Sequence, residues 1–368
     1  MDAVSALFLG VTAIACVAVR DTQQASKAGL AMASVISLSG ELQWAIRMSV
    51  EAAILMVSVE RMMEYAQVKP EESDRHQFNP DGSSVVPNGW PAEAKVTFTD
   101  MSLTYPRGDG PVLKNISLDF KGGERVGIVG RTGAGKSSLI GALFRLVETT
   151  TGNPPHRGGI SIDGIDISKI GMHDLREKMA IIPQEPFLFR GTLRFNLDPL
   201  SQYQDADIWA ALEAAELKRM VEGLQGGLDA TVDDNGKNFS IGERQLLSLA
   251  RTVLRRSKII VMDEATANVD LRSDRMIQKA IHSLFRGATV FTIAHRLNTV
   301  IGDYDRILVL DQGRVMEFDE PWALLNNNDL AQTGGWLKGM VAGTGPENEA
   351  ALRQLAKEQW EKHHASQA

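Results

Sequence analysis

The chain has 368 residues, a formal net charge of −7 and a single cysteine, Cys16. This length is enough for a large core and for two structural units. The mildly acidic balance argues against general nucleic-acid binding, which relies on clustered basic residues. One cysteine excludes an intrachain disulfide framework and a metal site built from several cysteines.

Two apolar stretches open the chain. Residues 3–19 contain no charged side chain and reach the short end of what spans a bilayer. Residues 28–59 form a longer stretch that includes Glu41, Arg47 and Glu51. Charged side chains inside a membrane helix usually face other helices or a pathway and serve a function.

The residues alone leave three interpretations of these stretches. A secretory signal peptide is disfavoured, because no small-residue cleavage site precedes a secreted domain. A second interpretation is a buried helical hairpin of a soluble protein. We favour two transmembrane helices, at about residues 3–20 and 28–66, within a partial transmembrane domain of residues 1–68. Two helices alone cannot enclose a pathway.

A polar segment separates these stretches from the rest of the chain. Residues 69–92 are rich in Pro, Ser, Asp, Asn and Gly, which is typical of a linker. Beyond it, the apolar runs at residues 259–262, 288–293 and 306–310 are continuous, as in strands buried on both faces. Their alternation with helical stretches predicts an α/β domain over residues 93–332 with a largely parallel core.

The last segment, residues 333–368, begins with paired glycines and closes with a predicted helix over 347–363. One face of that helix carries Leu352, Leu355, Ala356 and Trp360. An amphipathic helix that packs on the preceding domain is favoured over a partner-binding motif.

A glycine-rich loop carries the strongest chemical signal. The apolar run 125–129 predicts a buried strand before the loop, and residues 138–144 predict a helix after it. Glycines let backbone N–H groups approach a triphosphate, Lys136 reaches the β- and γ-phosphates, and the Ser137 hydroxyl binds Mg²⁺. This phosphate loop consists of Gly130, Arg131, Thr132, Gly133, Ala134, Gly135, Lys136, Ser137 and Ser138.

Two consecutive acids end a predicted buried strand downstream. Asp263 closes the apolar run and offers a carboxylate to Mg²⁺. Glu264 follows at the carboxyl end of the strand, where α/β sheets place their ligands. It is the candidate general base for the water that attacks the γ-phosphate. The alternative, a pair of surface acids, is disfavoured by the phosphate loop upstream.

Three further side chains are candidates because of where they stand. Gln184 and His295 each close a predicted strand. Gln184 could bind Mg²⁺ and hydrogen-bond to the attacking water, and His295 could contact the γ-phosphate. Tyr105 precedes a Pro-Gly turn and could stack on a base. Each assignment depends on the phosphate loop, since an isolated strand-end His or a core Tyr is common.

The segment Ser240–Glu243 opens a predicted helix with a small hydroxyl residue and a glycine. Such a helix start leaves N–H groups free to bind an anion. The chain's own loop already holds its own phosphates, so this second anion site fits the γ-phosphate of another domain. We call Ser240, Ile241, Gly242 and Glu243 the signature segment.

In the order of these motifs, the chain resembles the nucleotide-binding domain of an ATP-binding cassette (ABC) transporter. The resemblance covers residues 94–325 and includes the run Ala267–Asp270 after the acidic pair. Finer details are similar to the second such domain of the C subfamily, the multidrug-resistance-associated proteins. These details are residues 130–135, 183–189, 196–199 and 239–242, together with 43–47 and 59–65 upstream.

The resemblance implies an α/β P-loop NTPase fold of the ABC type, with a mixed sheet core and antiparallel β and α-helical subdomains, preceded by about two transmembrane helices. It implies ATP and Mg²⁺ as ligands, the latter held by Ser137, Gln184 and Asp263. Glu264, His295 and Gln184 would serve an ATPase coupled to transport. Because Glu264 and His295 are both present, this half would supply the hydrolytic side of the competent site.

Partners are implied as well. In this subfamily two nucleotide-binding domains meet head to tail, so the signature segment would face the ATP of a second domain. The family commonly has Gln where this chain has Glu243, which either repels a γ-phosphate or suits the start of its own helix. Trp44 and Arg47 share one helical face and would line the substrate cavity, although Trp44 also fits a packing role.

We therefore expect the ATP-hydrolysing half of an exporter of amphipathic organic anions or conjugates. It would belong to a multi-pass protein of the plasma or vacuolar membrane, with the nucleotide-binding domain in the cytosol and no nucleic-acid partner. The other transmembrane helices and the second domain are absent, so we expect a fragment, a truncated product or a partial gene model. The alternatives are an ATP-gated regulatory module of a channel and a remnant that does not transport.

Overall fold

The structure is a computed structural model that describes residues 2–18, 25–68, 86–87, 89–106, 108, 110–147, 158–263, 281, 284–294, 297–326 and 335–365. It divides into two compact units, Met1–Glu71 and Glu72–Ala368. Glu264, His295, Ala267–Asp270 and most of the predicted linker lie outside the described residues.

The first unit contains two helices, α1 (Asp2–Ala18) and α2 (Ala25–Gln67). Among the described helices, α2 is the one that is long and apolar enough to cross a membrane. The apolar helix α1 has 17 residues, which corresponds to about 26 Å against a hydrocarbon core of about 30 Å. Gln43 Nε2 donates to Ser5 Oγ at 3.3 Å and joins the two helices.

The strands and helices of the second unit follow in chain order. The strands are β1 (Val96–Leu103), β2 (Leu113–Phe120), β3 (Arg125–Val129), β4 (Gly159–Ile162), β5 (Ile165–Asp166), β6 (Met179–Ile182), β7 (Gly191–Thr192), β8 (Thr231–Val232), β9 (Ile259–Asp263), β10 (Thr289–Ile293), β11 (Arg306–Asp311) and β12 (Arg314–Asp319). The helices are α3 (Lys136–Leu143), α4 (Met172–Glu177), α5 (Leu193–Leu197), α6 (Asp205–Ala214), α7 (Lys218–Glu222), α8 (Ile241–Arg255), α9 (Leu297–Asp303), α10 (Pro321–Asn326), α11 (Trp336–Ala342) and α12 (Pro346–Ala365).

The larger sheet has the order β12-β11-β3-β10-β9-β6. All neighbours are parallel except β11 and β12, so the prediction of a largely parallel core is confirmed. The runs in β9 and β10 are buried along both strands up to Asp263, as expected for central strands with both faces covered. This sheet carries the phosphate loop at the end of β3.

A second, antiparallel sheet has the order β2-β1-β4-β5. The alternating runs at residues 95–98 and 101–105 predict two separate half-exposed strands, but the structure has one continuous strand, β1, over Val96–Leu103. A register shift between Phe98 and Met101, with Asp100 at φ 43, breaks the alternation that a continuous strand would show. The two sheets pack through aromatic rings, with Phe120 of β2 centred 4.9 Å from Phe291 of β10 and 5.1 Å from Phe318 of β12.

Helices α5–α8 pack with one another around a second hydrophobic cluster, which includes Leu212, Val221 and Leu247. This cluster also contains Ile182 and Met262, at the ends of β6 and β9. The helical subdomain that carries the signature segment therefore packs on the strands that lead to Gln184 and Asp263.

The C-terminal helices pack on the rest of the second unit through a third cluster. Leu337, Leu352 and Ala356 are buried in it together with Val129, the last residue of β3. The buried Glu317 carboxylate accepts hydrogen bonds from Trp336 N at 2.7 Å and Leu337 N at 2.8 Å, and so caps the start of α11. Helix α12 buries Leu352 and Ala356, whereas Leu355 and Trp360 of the predicted face stay exposed.

Candidate nucleotide-binding site

The phosphate loop joins β3 to α3, as the sequence predicts, although the helix begins at Lys136 rather than Ser138. A Cβ on Gly130 would lie 2.3 Å from Leu310 O, so this position admits no side chain. Gly135 has φ 102, in the left-handed region, and is the N-cap of α3. The loop backbone therefore reaches the helix N-terminus in the conformation that a phosphate cradle requires.

Lys136 lies against this loop. Its Nζ donates to Gly130 O at 2.7 Å and to Arg131 O at 3.1 Å. The residue is only 7% exposed. Its ammonium is therefore held at the loop by carbonyl groups, which suits a point charge that contacts phosphates.

Tyr105 lies beside the start of α3. Its hydroxyl is 3.1 Å from Ser138 Oγ, although the two residues are 33 positions apart in sequence. The Tyr105 side chain stays 38% exposed, and Ser137 on the first turn of α3 is also exposed. An accessible aromatic ring next to the phosphate loop has the placement needed to stack on a base.

The other predicted site residues stand at the ends of neighbouring strands. Ile182 of β6 pairs with Met262 of β9, and Asp263 pairs with Ile293 of β10, which is the parallel neighbour of β3. Because the carboxyl ends of parallel strands meet at one edge of a sheet, Asp263 and the segment after β6 share an edge with the phosphate loop. Gln184, two residues after β6, is exposed.

The predicted catalytic residues Glu264 and His295 follow Asp263 and Ala294 directly in the sequence. Both lie outside the described residues, and their roles stay predictions. Mg²⁺ prefers oxygen ligands. The site offers three of them: the amide of Gln184, the hydroxyl of Ser137 and the carboxylate of Asp263. The composition of the site therefore fits a magnesium nucleotide.

The signature segment forms a capping box at the start of α8. Ser240 Oγ accepts from Glu243 N at 3.2 Å, while Glu243 Oε2 accepts from Ser240 N and from Ser240 Oγ, both at 2.8 Å. These contacts show that Glu243 caps its own helix, and they keep its carboxylate beside Ser240; the other interpretation, repulsion of a γ-phosphate, stays a prediction. The same contacts engage the Ser240 hydroxyl that an incoming phosphate would need.

Two polar residues of α8 were not singled out from the sequence. Gln245 is 1% exposed, and its Nε2 donates to Pro183 O at 3.3 Å. Arg251 donates to Phe187 O at 2.8 Å and to Asn196 O at 2.6 Å, and burial lowers the pKa of its guanidinium. Both residues stand among the leucines of a predicted amphipathic helix, and this position was the feature of the sequence that could have indicated buried polar side chains.

Three phenylalanines form an exposed aromatic patch after Gln184. Phe187, Phe189 and Phe195 are each about half exposed. The ring centroids of Phe187 and Phe189 are 4.9 Å apart, and those of Phe189 and Phe195 are 6.4 Å apart. They line a cavity of about 400 Å³ together with Leu200 and Tyr203. Exposed contiguous apolar surface is a common feature of interaction sites.

A glycine-rich loop between a parallel strand and a helix, with a lysine held at the loop, defines a P-loop nucleotide-binding domain. Residues 113–267 match the family model described as ABC transporter. The chain is 45% identical over 97% of its length to ATP-binding cassette sub-family C member 4 from Homo sapiens, of which it covers 26%. It is 46% identical over 88% of its length to ABC transporter C family member 8 from Dictyostelium discoideum, of which it covers 20%.

A third relative, ATP-binding cassette sub-family C member 2 from Rattus norvegicus, is 45% identical over 89% of the chain. The chain spans about a quarter or less of the length of these curated relatives. The chain therefore contains an ABC transporter ATP-binding domain that is similar to those of C-subfamily members.

Proposed function

We propose that this chain supplies the ATP-hydrolysing half of an ABC exporter that moves amphipathic organic anions or conjugates across a membrane. The observation that carries the proposal is the phosphate loop. It places Lys136 and the N-terminus of α3 at the edge of the sheet where Asp263 stands. Residues 183–189, which we call the Gln184 segment, leave β6 at the same edge.

The hydrolytic step needs three kinds of group from this chain. Lys136 and the α3 N-terminus bind the phosphates, and Ser137, Gln184 and Asp263 would hold Mg²⁺. Bound there, the ion would neutralise charge on the β- and γ-phosphates. Glu264 orients and polarises the attacking water, and His295 contacts the γ-phosphate.

The signature segment serves a partner. The chain's phosphates are held by its own loop, so the start of α8 is available to the ATP of a second nucleotide-binding domain. Head-to-tail pairing gives each ATP one loop and one signature segment. ATP binding then closes the pair, and hydrolysis opens it.

Coupling to transport requires a contact between this domain and the transmembrane helices of the complete transporter. The aromatic patch follows Gln184 within a few residues and exposes about half of each ring. We assign this patch to a helix of the transmembrane domains, because burying aromatic rings stabilises an interface strongly. A displacement of Gln184 on nucleotide binding would then be transmitted to the transmembrane helices.

The membrane-facing part of the proposal concerns α2. Trp44 and Arg47 are exposed on it at a spacing of three residues and thus share a face. An arginine beside an aromatic ring suits an amphipathic anion. The protein would be multi-pass in the plasma or vacuolar membrane, with its nucleotide-binding domain in the cytosol.

Association and uptake test the function. The chain, in lipid nanodiscs, should sediment as a monomer without nucleotide and as a dimer with Mg·ATP, since each copy carries both half-sites. Vesicles that contain the complete transporter should take up a labelled anionic conjugate only with ATP. A chain that stays monomeric in every nucleotide state contradicts the proposal, and association without uptake indicates an ATP-gated regulator.

Replacing Glu243 by glutamine should strengthen ATP-driven association about fivefold. Glutamine keeps the capping box, but it removes a carboxylate from the position where the partner's γ-phosphate arrives. Removal of one like charge near a partly exposed site corresponds to about 1 kcal/mol. Sedimentation at graded ATP measures the change, and Glu222→Gln, at an exposed end of α7, is the matched control. Unchanged association would show that Glu243 faces away from the nucleotide.

A further inference from the structure

Helix α8 and the Gln184 segment are tied together at two points. Near the start of the helix, Gln245 Nε2 donates to Pro183 O at 3.3 Å. Six residues later, Arg251 donates to Phe187 O at 2.8 Å. The helix that starts with the signature segment is thereby hydrogen-bonded on both sides of Gln184.

A third residue extends the connection to the aromatic patch. Asn196 is 3% exposed; its Oδ1 accepts from Phe189 N and its Nδ2 donates to Phe189 O, both at 2.8 Å. Arg251 in turn donates to Asn196 O and to Asn196 Oδ1. A displacement of α8 along its axis would therefore carry the backbone of Phe187 and Phe189 with it.

Gln245 differs from Arg251 in one respect. Its Oε1 is buried and has no hydrogen-bond partner among the described residues. Buried amides in native proteins are normally satisfied at both ends, and an unpaired acceptor is costly. The Gln245 amide therefore has one unused acceptor, next to its hydrogen bond with the Gln184 segment.

We propose that Gln245 is a positioning residue that transmits the nucleotide state at Gln184 to the signature segment through helix α8. The proposal rests on the proposed function, because Gln184 must contact the magnesium nucleotide held at Lys136. Binding at the chain's own loop displaces the Gln184 segment, and Pro183 O changes its contact with Gln245. The orientation of Ser240 toward the second ATP changes in turn, so the two nucleotide sites become dependent on each other.

Hydrogen exchange of the whole chain in nanodiscs tests this proposal. Mg²⁺ with a non-hydrolysable ATP analogue should slow amide exchange over residues 245–252 several-fold in the unmodified chain. Gln245→Met, which keeps the volume and removes both hydrogen-bonding groups, should abolish that slowing. Its affinity for a fluorescent ATP analogue should stay within about twofold, because the amide does not touch the loop.

The control stands on the same helix. Thr252 is 4% exposed and donates only to Ser248 O, within α8, among its described contacts. Thr252→Val therefore removes a buried hydrogen bond without affecting the tie to the Gln184 segment and should keep the full nucleotide response. Arg251→Lys, which loses the forked contacts to Phe187 and Asn196, provides a second variant should Gln245→Met fold poorly, and it should also lose the response.

Three results would overturn the proposal. The first is that the bound analogue leaves amide exchange in α8 of the unmodified chain unchanged. The second is that Gln245→Met or Arg251→Lys keeps the nucleotide response, and the third is that Thr252→Val loses the response to the same extent. Binding to a single chain suffices for this readout. A chain that never dimerises or hydrolyses ATP thus contradicts the proposed function, while the exchange data still decide the role of Gln245.

Discussion

Lys136→Ala should weaken ATP binding about a hundredfold. The Lys136 side chain is almost completely buried at the loop, and its Nζ lies 2.7 Å from Gly130 O. An ammonium in this position makes charge-assisted hydrogen bonds to phosphates, and loss of such contacts corresponds to about 3 kcal/mol. Titration with a fluorescent ATP analogue measures the change directly.

A matched control separates the charge from the fold. Lys169 is an exposed lysine of the same unit, and Lys169→Ala should leave the affinity unchanged. Because Lys136 also contacts the carbonyl groups of Gly130 and Arg131, the thermal unfolding of both variants should be compared. An unaltered affinity in Lys136→Ala, with an intact fold, would remove this lysine from the nucleotide site.

Glu264→Gln should abolish steady-state hydrolysis while ATP binding persists. Glu264 follows Asp263, the last residue of β9, at the sheet edge that carries the phosphate loop. Glutamine keeps the size of the side chain but cannot accept a proton from the attacking water, and loss of a general base costs about 10²–10⁴ in rate. Phosphate release should fall by that factor.

The same variant should accumulate the closed pair, because hydrolysis is the step that reopens it. Sedimentation in Mg·ATP should show more dimer for Glu264→Gln than for the unmodified chain. Glu222→Gln provides an isosteric control at an exposed position on α7. Turnover at the unmodified rate in Glu264→Gln would assign the catalytic base to another residue.

The features that depend on neighbours in sequence were predictable. The phosphate loop is set by glycine spacing between an apolar run and a helix, and its conformation at Gly130 and Gly135 agrees. Buried strands read as continuous apolar runs, so β9 and β10 were found at nearly their observed bounds. The Ser-x-x-Glu spacing at Ser240 also signals a capping box in the sequence itself.

Contacts between distant residues were not predictable in this way. Gln245 meets Pro183 across 62 positions, and Arg251 meets Phe187 across 64. Nothing in the local pattern identifies the partner of a polar residue on a buried helix face, because that partner is set by the packing of α8 on the strand ends. The prediction of two strands within residues 95–105 was wrong for a related reason. A bulge interrupts the alternation of β1 without ending its pairing with β2.

The sequence by itself determined the resemblance to the family, the phosphate loop and the central strands β9 and β10, because the motifs and apolar runs that carry them are short, continuous stretches of the chain. Tertiary structure alone decided that Tyr105 reaches Ser138. It also decided that α8 is bonded to the Gln184 segment. Hydrogen-bond geometry between elements depends on how whole helices and sheets pack, and local periodicity carries no information on that arrangement.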